Sequence, residues 1–250
     1  LPALLLAFVP AFAHDLWLLP EKDGGGADTV RIQAVVGAHF PKGEETKKAA
    51  DYRDARWQRA GEIRPTPDFG AEPMLLGRIP GKEGFYVSVV GPTREIDLKQ
   101  SEAREYLRDE VGLEGKELEA MLAGPHATLH ETYSRLMKIL VLPQSSANPP
   151  EDVLFGLPLE IELLELRPVQ EGGRELRFRL MAGGKAVGGA FFRVVTAEGK
   201  TLPVRADAGG GARARVPARG PILIAHVQVS GKGEGTYETR WSNLAVYERP

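Results

Sequence analysis

Short runs that alternate between apolar and polar residues set the tightest limit on how this chain folds. In its second half, Leu176, Phe178 and Leu180 alternate with Glu175, Arg177 and Arg179. A period of two places one set on each face of a strand. Ala182-Gly183-Gly184-Lys185 then makes a turn, residues 191–195 and 220–229 read as further strands, and residues 243–247 close the fold. Short strands with turn signals about every ten residues follow the rhythm of an immunoglobulin-like or transthyretin-like sandwich. Gly209-Gly210-Gly211 reads as a turn and not as a phosphate cradle, because no helix follows it.

The first half mixes the same signal with helix. Trp17-Leu18-Leu19 reads as a strand ended by Pro20, and Asp23-Gly24-Gly25-Gly26 as a turn. Over residues 30–40, Ile32, Ala34, Val36, Ala38 and Phe40 share one face, and Arg31, Gln33, Val35, Gly37 and His39 the other. Residues 41–72 read as loops around short strands, and residues 84–90 and 136–142 as strands. In residues 101–111, Ala103, Leu107 and Val111 recur four apart, which predicts a helix; a second is expected over 116–123, closed by Gly124 and Pro125. Residues 144–152, rich in Ser, Asn and Pro, read as a linker. The expectation is a mainly β protein of two sandwich-like domains. The first spans residues 14–143, with a helical insertion near 100–124, and the second spans 153–250.

The first thirteen residues read differently. Leu4-Leu5-Leu6-Ala7-Phe8-Val9 is too short to cross a bilayer, which takes roughly 20 apolar residues. Ala11-Phe12-Ala13 then supplies small residues at the −3 and −1 positions of a cleavage site, so residues 1–13 read as a signal peptide whose basic start precedes Leu1. Cleavage after Ala13 would make His14 the first residue of a periplasmic or secreted chain, and no later segment is apolar for long enough to be a membrane-spanning helix. The chain has no cysteine, so in an oxidising compartment its stability must come from a packed core, and thiolate metal sites and cysteine nucleophiles are excluded. A formal net charge of −2 gives no basic excess for nucleic acid.

Chemistry then falls to the five histidines, His14, His39, His126, His130 and His226. A histidine at a mature N-terminus offers an α-amine and an imidazole that chelate one ion together. Such nitrogen donors suit nickel, cobalt, copper and zinc better than calcium or magnesium. The amine must lose its proton to bind, and its reference pKa is about 7.7–8.0. The ordinary alternative is cleavage that merely happens to precede a histidine. His226 lies opposite the apolar face of Leu223, Ala225, Val227 and Val229, either facing solvent or presented as a ligand by a rigid strand. His39 ends a strand under the same two readings. His126 and His130 are four apart, yet Gly124-Pro125 precedes them and no H-E-x-x-H pattern is present, so they read as ordinary residues and as a fallback pair. Glu44-Glu45 and Glu160/Glu162 read as solvated charges, Trp57 and Trp241 as packing or surface aromatics, and Tyr133, Arg135 and Lys138 as a bridge between the halves. No nucleophile elbow or nucleotide motif is found, so no enzymatic activity is expected.

Several short segments occur together in a familiar order: His14-Asp15-Leu16-Trp17-Leu18, Gly37-Ala38-His39-Phe40-Pro41-Lys42-Gly43-Glu44, Glu131-Thr132-Tyr133-Ser134-Arg135-Leu136-Met137-Lys138, Gly156-Leu157-Pro158-Leu159-Glu160-Ile161, and His226 with Trp241-Ser242-Asn243-Leu244. Their order resembles the bacterial periplasmic domain-of-unknown-function family 4198 over nearly the whole mature chain. Leu136-Met137 departs from the aromatic and small residues expected there. The resemblance implies a histidine site at the mature N-terminus, carried over here to His14, His39 and His226. It also implies a nickel or cobalt cargo, with copper and zinc compatible, and an energy-coupling-factor-type membrane transporter as partner. Two other classes fit the same residues: a copper oxidative enzyme built on the N-terminal histidine and one further histidine, and an exported sandwich that acts as an interaction module without metal.

Overall fold

The computed structural model describes residues 15–24, 28–143, 149–170, 172–233 and 235–250. In chain order its first half holds β1 (Asp15–Lys22), β2 (Thr29–Gly37), β3 (Glu45–Lys47), β4 (Arg53–Arg59), β5 (Glu62–Pro65), β6 (Gly77–Pro80), β7 (Phe85–Val90) and β8 (Arg94–Lys99). Helices α1 (Gln100–Asp109) and α2 (Gly115–Met121) follow, then β9 (Thr128–Leu142). The second half holds β10 (Leu159–Pro168), β11 (Arg174–Ala182), β12 (Lys185–Ala186), β13 (Phe191–Thr196), β14 (Thr201–Arg205), β15 (Gly211–Val216), β16 (Ile222–Gly233) and β17 (Thr236–Glu248). The chain is thus mainly β with a short helical insertion, as its alternation predicts.

The two halves share one sheet. Its order is β14-β13-β16-β17-β9-β7-β4-β5, with β8 beside the first part of β9. The joint is β17 against β9, a parallel pairing that runs from Thr236↔His130 to Glu248↔Leu142. A small sheet from the first half, β1-β2-β3 with β6 on β2, covers one face of the shared sheet. A small sheet from the second half, β10, β11, β12 and β15, covers the other.

Because successive side chains point to opposite faces, the central strands serve two cores at once. Leu136 and Leu140 on β9, Ile222 and Ile224 on β16 and Leu244 and Val246 on β17 pack with Leu159, Ile161 and Phe178 of the second half. Met137, Ile139, Leu223 and Ala245 pack with Trp17, Leu18 and Ile32 of the first half. Each large apolar side chain so buried contributes about 1.5–3 kcal/mol. This two-sided burial explains why residues 222–227 read as nearly continuous apolar sequence.

Several local expectations need correction. β1 does not stop at Pro20; Pro20 pairs with Ile32, and an edge strand tolerates a residue with no N–H to donate. β2 ends at Gly37, so the strand expected over 30–40 turns before His39. β9 begins at Thr128, eight residues before its expected start, because its first part carries Glu131, Tyr133 and Arg135 and lacks an apolar run. The far end of the expected linker is not loose: the Asp152 carboxylate is 1% exposed. Residues 144–148 lie outside the described residues.

The helices pack on β9 and β17 through Ala103, Tyr106, Leu107 and Leu118, around Leu129, Val227 and Tyr237. Glu102 accepts the Lys99 N–H at 3.0 Å, satisfying an orphan donor at the start of α1.

Candidate metal centre

The predicted leader and His14 lie outside the described residues. Asp15, the residue after His14, is the first described. It opens β1 and pairs with Gly37, the last residue of β2. That register puts the beginning of β1 beside the turn that carries His39.

The turn is shaped by close approach. A Cβ on Gly37 would stand 2.8 Å from the Lys42 carbonyl oxygen and 3.1 Å from the Trp17 ring, and one on Gly43 would stand 2.7 Å from Val35 Cβ. Glycine at both positions lets the chain fold back. The Lys42 N–H donates to the His39 carbonyl at 2.9 Å and the Glu44 N–H to the Val36 carbonyl at 2.8 Å. Between them Phe40 is buried, its ring edge-on to Trp17 at 5.5 Å and to Tyr247 at 5.8 Å. Anchoring Phe40 inward leaves His39 exposed, and no described residue bonds its ring. The Glu44 carboxylate folds back over the same turn and accepts the Ala38 N–H at 2.9 Å.

The other end of Asp15 is tied to the second half. Its carboxylate meets Arg193 of β13 at 2.9 Å, and Arg193 also pairs with Glu110, which caps the C-terminal end of α1. Burial pushes the Glu110 carboxyl up to about 7, against the opposing pull of Arg193. One ionic knot therefore holds the start of β1, α1 and β13 together.

His226 is elsewhere. It is 7% exposed on β16, between β13 and β17, and shares its sheet face with Ile222 and Ile224. Its ring packs 5.5 Å from Phe192, and Nδ1 lies 2.7 Å from the Phe191 carbonyl oxygen. A carbonyl only accepts, so Nδ1 carries the proton. Burial lowers the imidazole pKa, keeping the ring neutral. Arg193 pairs with Ala225, one residue away, and reaches Asp15 from the opposite face. The shared sheet therefore separates His226 from Asp15 and from the His39 turn, whose Phe40 packs in the first-half core. The sequence placed His226 on a polar strand face; that face is a second core, and the ring is a packed, singly bonded core histidine.

His126 and His130 do not share a helix. His130 is on β9 opposite Asp97 of β8, with its Nδ1 2.9 Å from the Asp97 carboxylate, a hydrogen bond that raises its pKa. The His126 ring lies against Gly124 and Gly235. Among the described residues no group of three or more His, Asp or Glu side chains is arranged to hold a metal ion.

Two acids are buried, and one of them differs from the sequence reading. Glu160, taken for a solvated charge, is 2% exposed. It accepts the N–H groups of Phe155 and Leu157 at 3.0 and 3.2 Å and the Lys138 ammonium at 3.1 Å. Lys138 also meets Asp152 at 2.5 Å and lies over the Tyr86 and Phe155 rings, so the predicted bridge between halves holds for this residue. Glu131 is buried among the hydroxyls of Tyr106, Tyr237 and Thr239, and burial raises its pKa. The residue that sequence reasoning passed over at the candidate site is Glu44. Its signal was an acid five residues after His39 across a Pro-Lys-Gly turn.

No protein-family model matches the chain, and no curated protein matches it at a significant level.

Proposed function

We propose that this chain is an exported, non-enzymatic binding protein that captures a divalent transition metal as cargo through its processed N-terminus. The proposed ligands are the amine and imidazole of His14, the imidazole of His39 and the carboxylate of Glu44. The observation that carries the reading is the pairing of Asp15 with Gly37, two residues from an exposed His39 whose ring no described residue bonds, on a turn that also carries Glu44. His226 is dropped from the ligand set, because its ring is enclosed on the far side of the shared sheet. Two nitrogens from one residue, a third imidazole nitrogen and one oxygen suit nickel, cobalt, copper or zinc. Nickel and cobalt come first through the resemblance to family 4198, which also supplies the proposed destination, an energy-coupling-factor-type membrane transporter.

The test is native mass spectrometry of protein beginning at His14, titrated with Ni, Co, Cu and Zn. One ion should bind per chain, with affinity rising between pH 6.5 and 8.5 as the amine deprotonates. An added residue before His14 converts the amine to an amide and should weaken binding at least tenfold; H39A and E44Q should each weaken it as well. Equal uptake by the processed and extended forms would refute the proposal.

A further inference from the structure

A cleft of about 190 Å³ opens between the first-half sheet and the shared sheet. Three cations line it, Lys47 on β3, Arg94 on β8 and Arg135 on β9, together with the hydroxyl-bearing Tyr52 and Tyr133. Among the described residues no carboxylate lines it, and Leu16 supplies part of an apolar wall.

Arg135 is the residue that makes this more than a basic patch. Its guanidinium sits 4.8 Å from the Trp241 ring centroid and 5.6 Å from that of Tyr133. Trp241 is itself stacked on Tyr106 at 5.7 Å. The rings fix the guanidinium by cation–π attraction, so little freedom is lost when it binds an acid. Among the described residues no carboxylate lies within ion-pair distance of it; Glu110 and Glu131 feel its charge only through space. Among the described residues Lys47 and Arg94 have one carboxylate partner each, the exposed Glu45 at 2.8 Å and Asp51 at 3.7 Å, which a ligand in the cleft can replace at small cost. Burial keeps the Tyr52 hydroxyl protonated and able to donate.

The geometry points to a binding site for a compact organic acid with two or more carboxylates. A planar guanidinium held in place recognises a carboxylate through two parallel hydrogen bonds. Three separated cations ask for more than one negative group, and the apolar wall asks for a carbon skeleton between them. The volume is below the roughly 300–1,000 Å³ of pockets for drug-sized ligands, which limits the occupant to a small acid. Neither His39 nor Glu44 is among the residues that line the cleft.

Isothermal titration of chelator-stripped protein with citrate and with succinate, against acetate and inorganic phosphate, tests this. Saturable one-to-one binding of citrate or succinate is expected, at least tenfold tighter than acetate or phosphate and weakened by added salt. R135Q should weaken it tenfold or more and R135K nearly as much, because the ammonium lacks the fork. K47Q/R94Q changes exposed or half-exposed side chains only and should weaken binding with the fold unchanged by circular dichroism. No saturable binding, equal affinity for phosphate, or wild-type affinity in both R135K and K47Q/R94Q would overturn the assignment.

Discussion

Two charged clusters on opposite faces of the shared sheet differ in how completely their members are paired. On the second-half face, Lys138, Asp152 and Glu160 are fully buried, and their ammonium and carboxylate groups meet one another or backbone groups. On the first-half face, Arg135 is held on two rings with no ion pair among the described residues, and no described residue bonds the His39 ring. Buried charges cost several kcal/mol each unless paired, so a closed set of partners marks a group that serves the fold. A cation positioned by packing and left without a counter-ion has capacity to spare for something that arrives from solution. Completeness of pairing, more than the presence of charge, separates the structural cluster around Lys138 from the candidate binding residues around Arg135.

The sharpest way to break that comparison is to open the closed set. K138M removes the ammonium and leaves two carboxylates buried beside each other. It should cost about 3–5 kcal/mol of unfolding free energy in urea denaturation at pH 7.5. K138M/D152N/E160Q should recover only part of the loss: the amide oxygens can still accept from Leu163 and from one of Phe155 and Leu157, but these last two N–H groups bond to different oxygens of Glu160 and an amide keeps only one acceptor oxygen. A K138M midpoint equal to that of the wild type would mean that the network does not join the halves.

This contrast also shows what can be read in a linear sequence. The mainly β class and both helices were legible because period-two and period-four patterns are local. The joining of the two halves was not: it depends on β9 lying parallel to β17 more than 100 residues later, and no local pattern encodes that pairing. The misreading of His226 has the same source. Its strand alternates in sequence like one with a wet face, yet both faces are covered by layers from different halves. The role of Glu160 was hidden for a similar reason, because Lys138 and the N–H groups it satisfies come together only in the folded chain. For the candidate site, the sequence singled out His39, which the structure leaves exposed on a turn, and set Glu44 aside as one of two adjacent acids.

Glu110 sharpens the comparison from the first-half side. Its folded-state pKa of about 7 lies above its ordinary value of 4.5, with burial as the main cause. The folded state therefore holds a proton that the unfolded state has released, and stability falls as pH rises through that window. E110Q cannot ionise. The stability difference between E110Q and wild type should shift in favour of the variant by about 2–3 kcal/mol between pH 4.5 and pH 8. Paired urea titrations across that range measure it. A constant difference would place Glu110 in solvent and undo the knot that links α1, β1 and β13.

The smallest stability effects provide the finest test, because they separate two histidines that look alike in sequence. His226 donates to a buried carbonyl and fills space beside Phe192. H226L leaves that acceptor without this donor and should cost about 1–3 kcal/mol. No described residue bonds the His39 ring, and H39A should change stability by less than about 0.5 kcal/mol. Metal uptake should move the other way, unchanged in H226L and weakened in H39A, provided each variant is measured where it is fully folded. If instead H226L lost metal while H39A kept it, the sheet could not be the partition described above. The metal site would then have to be sought on the side where Lys138, Asp152 and Glu160 are already paired.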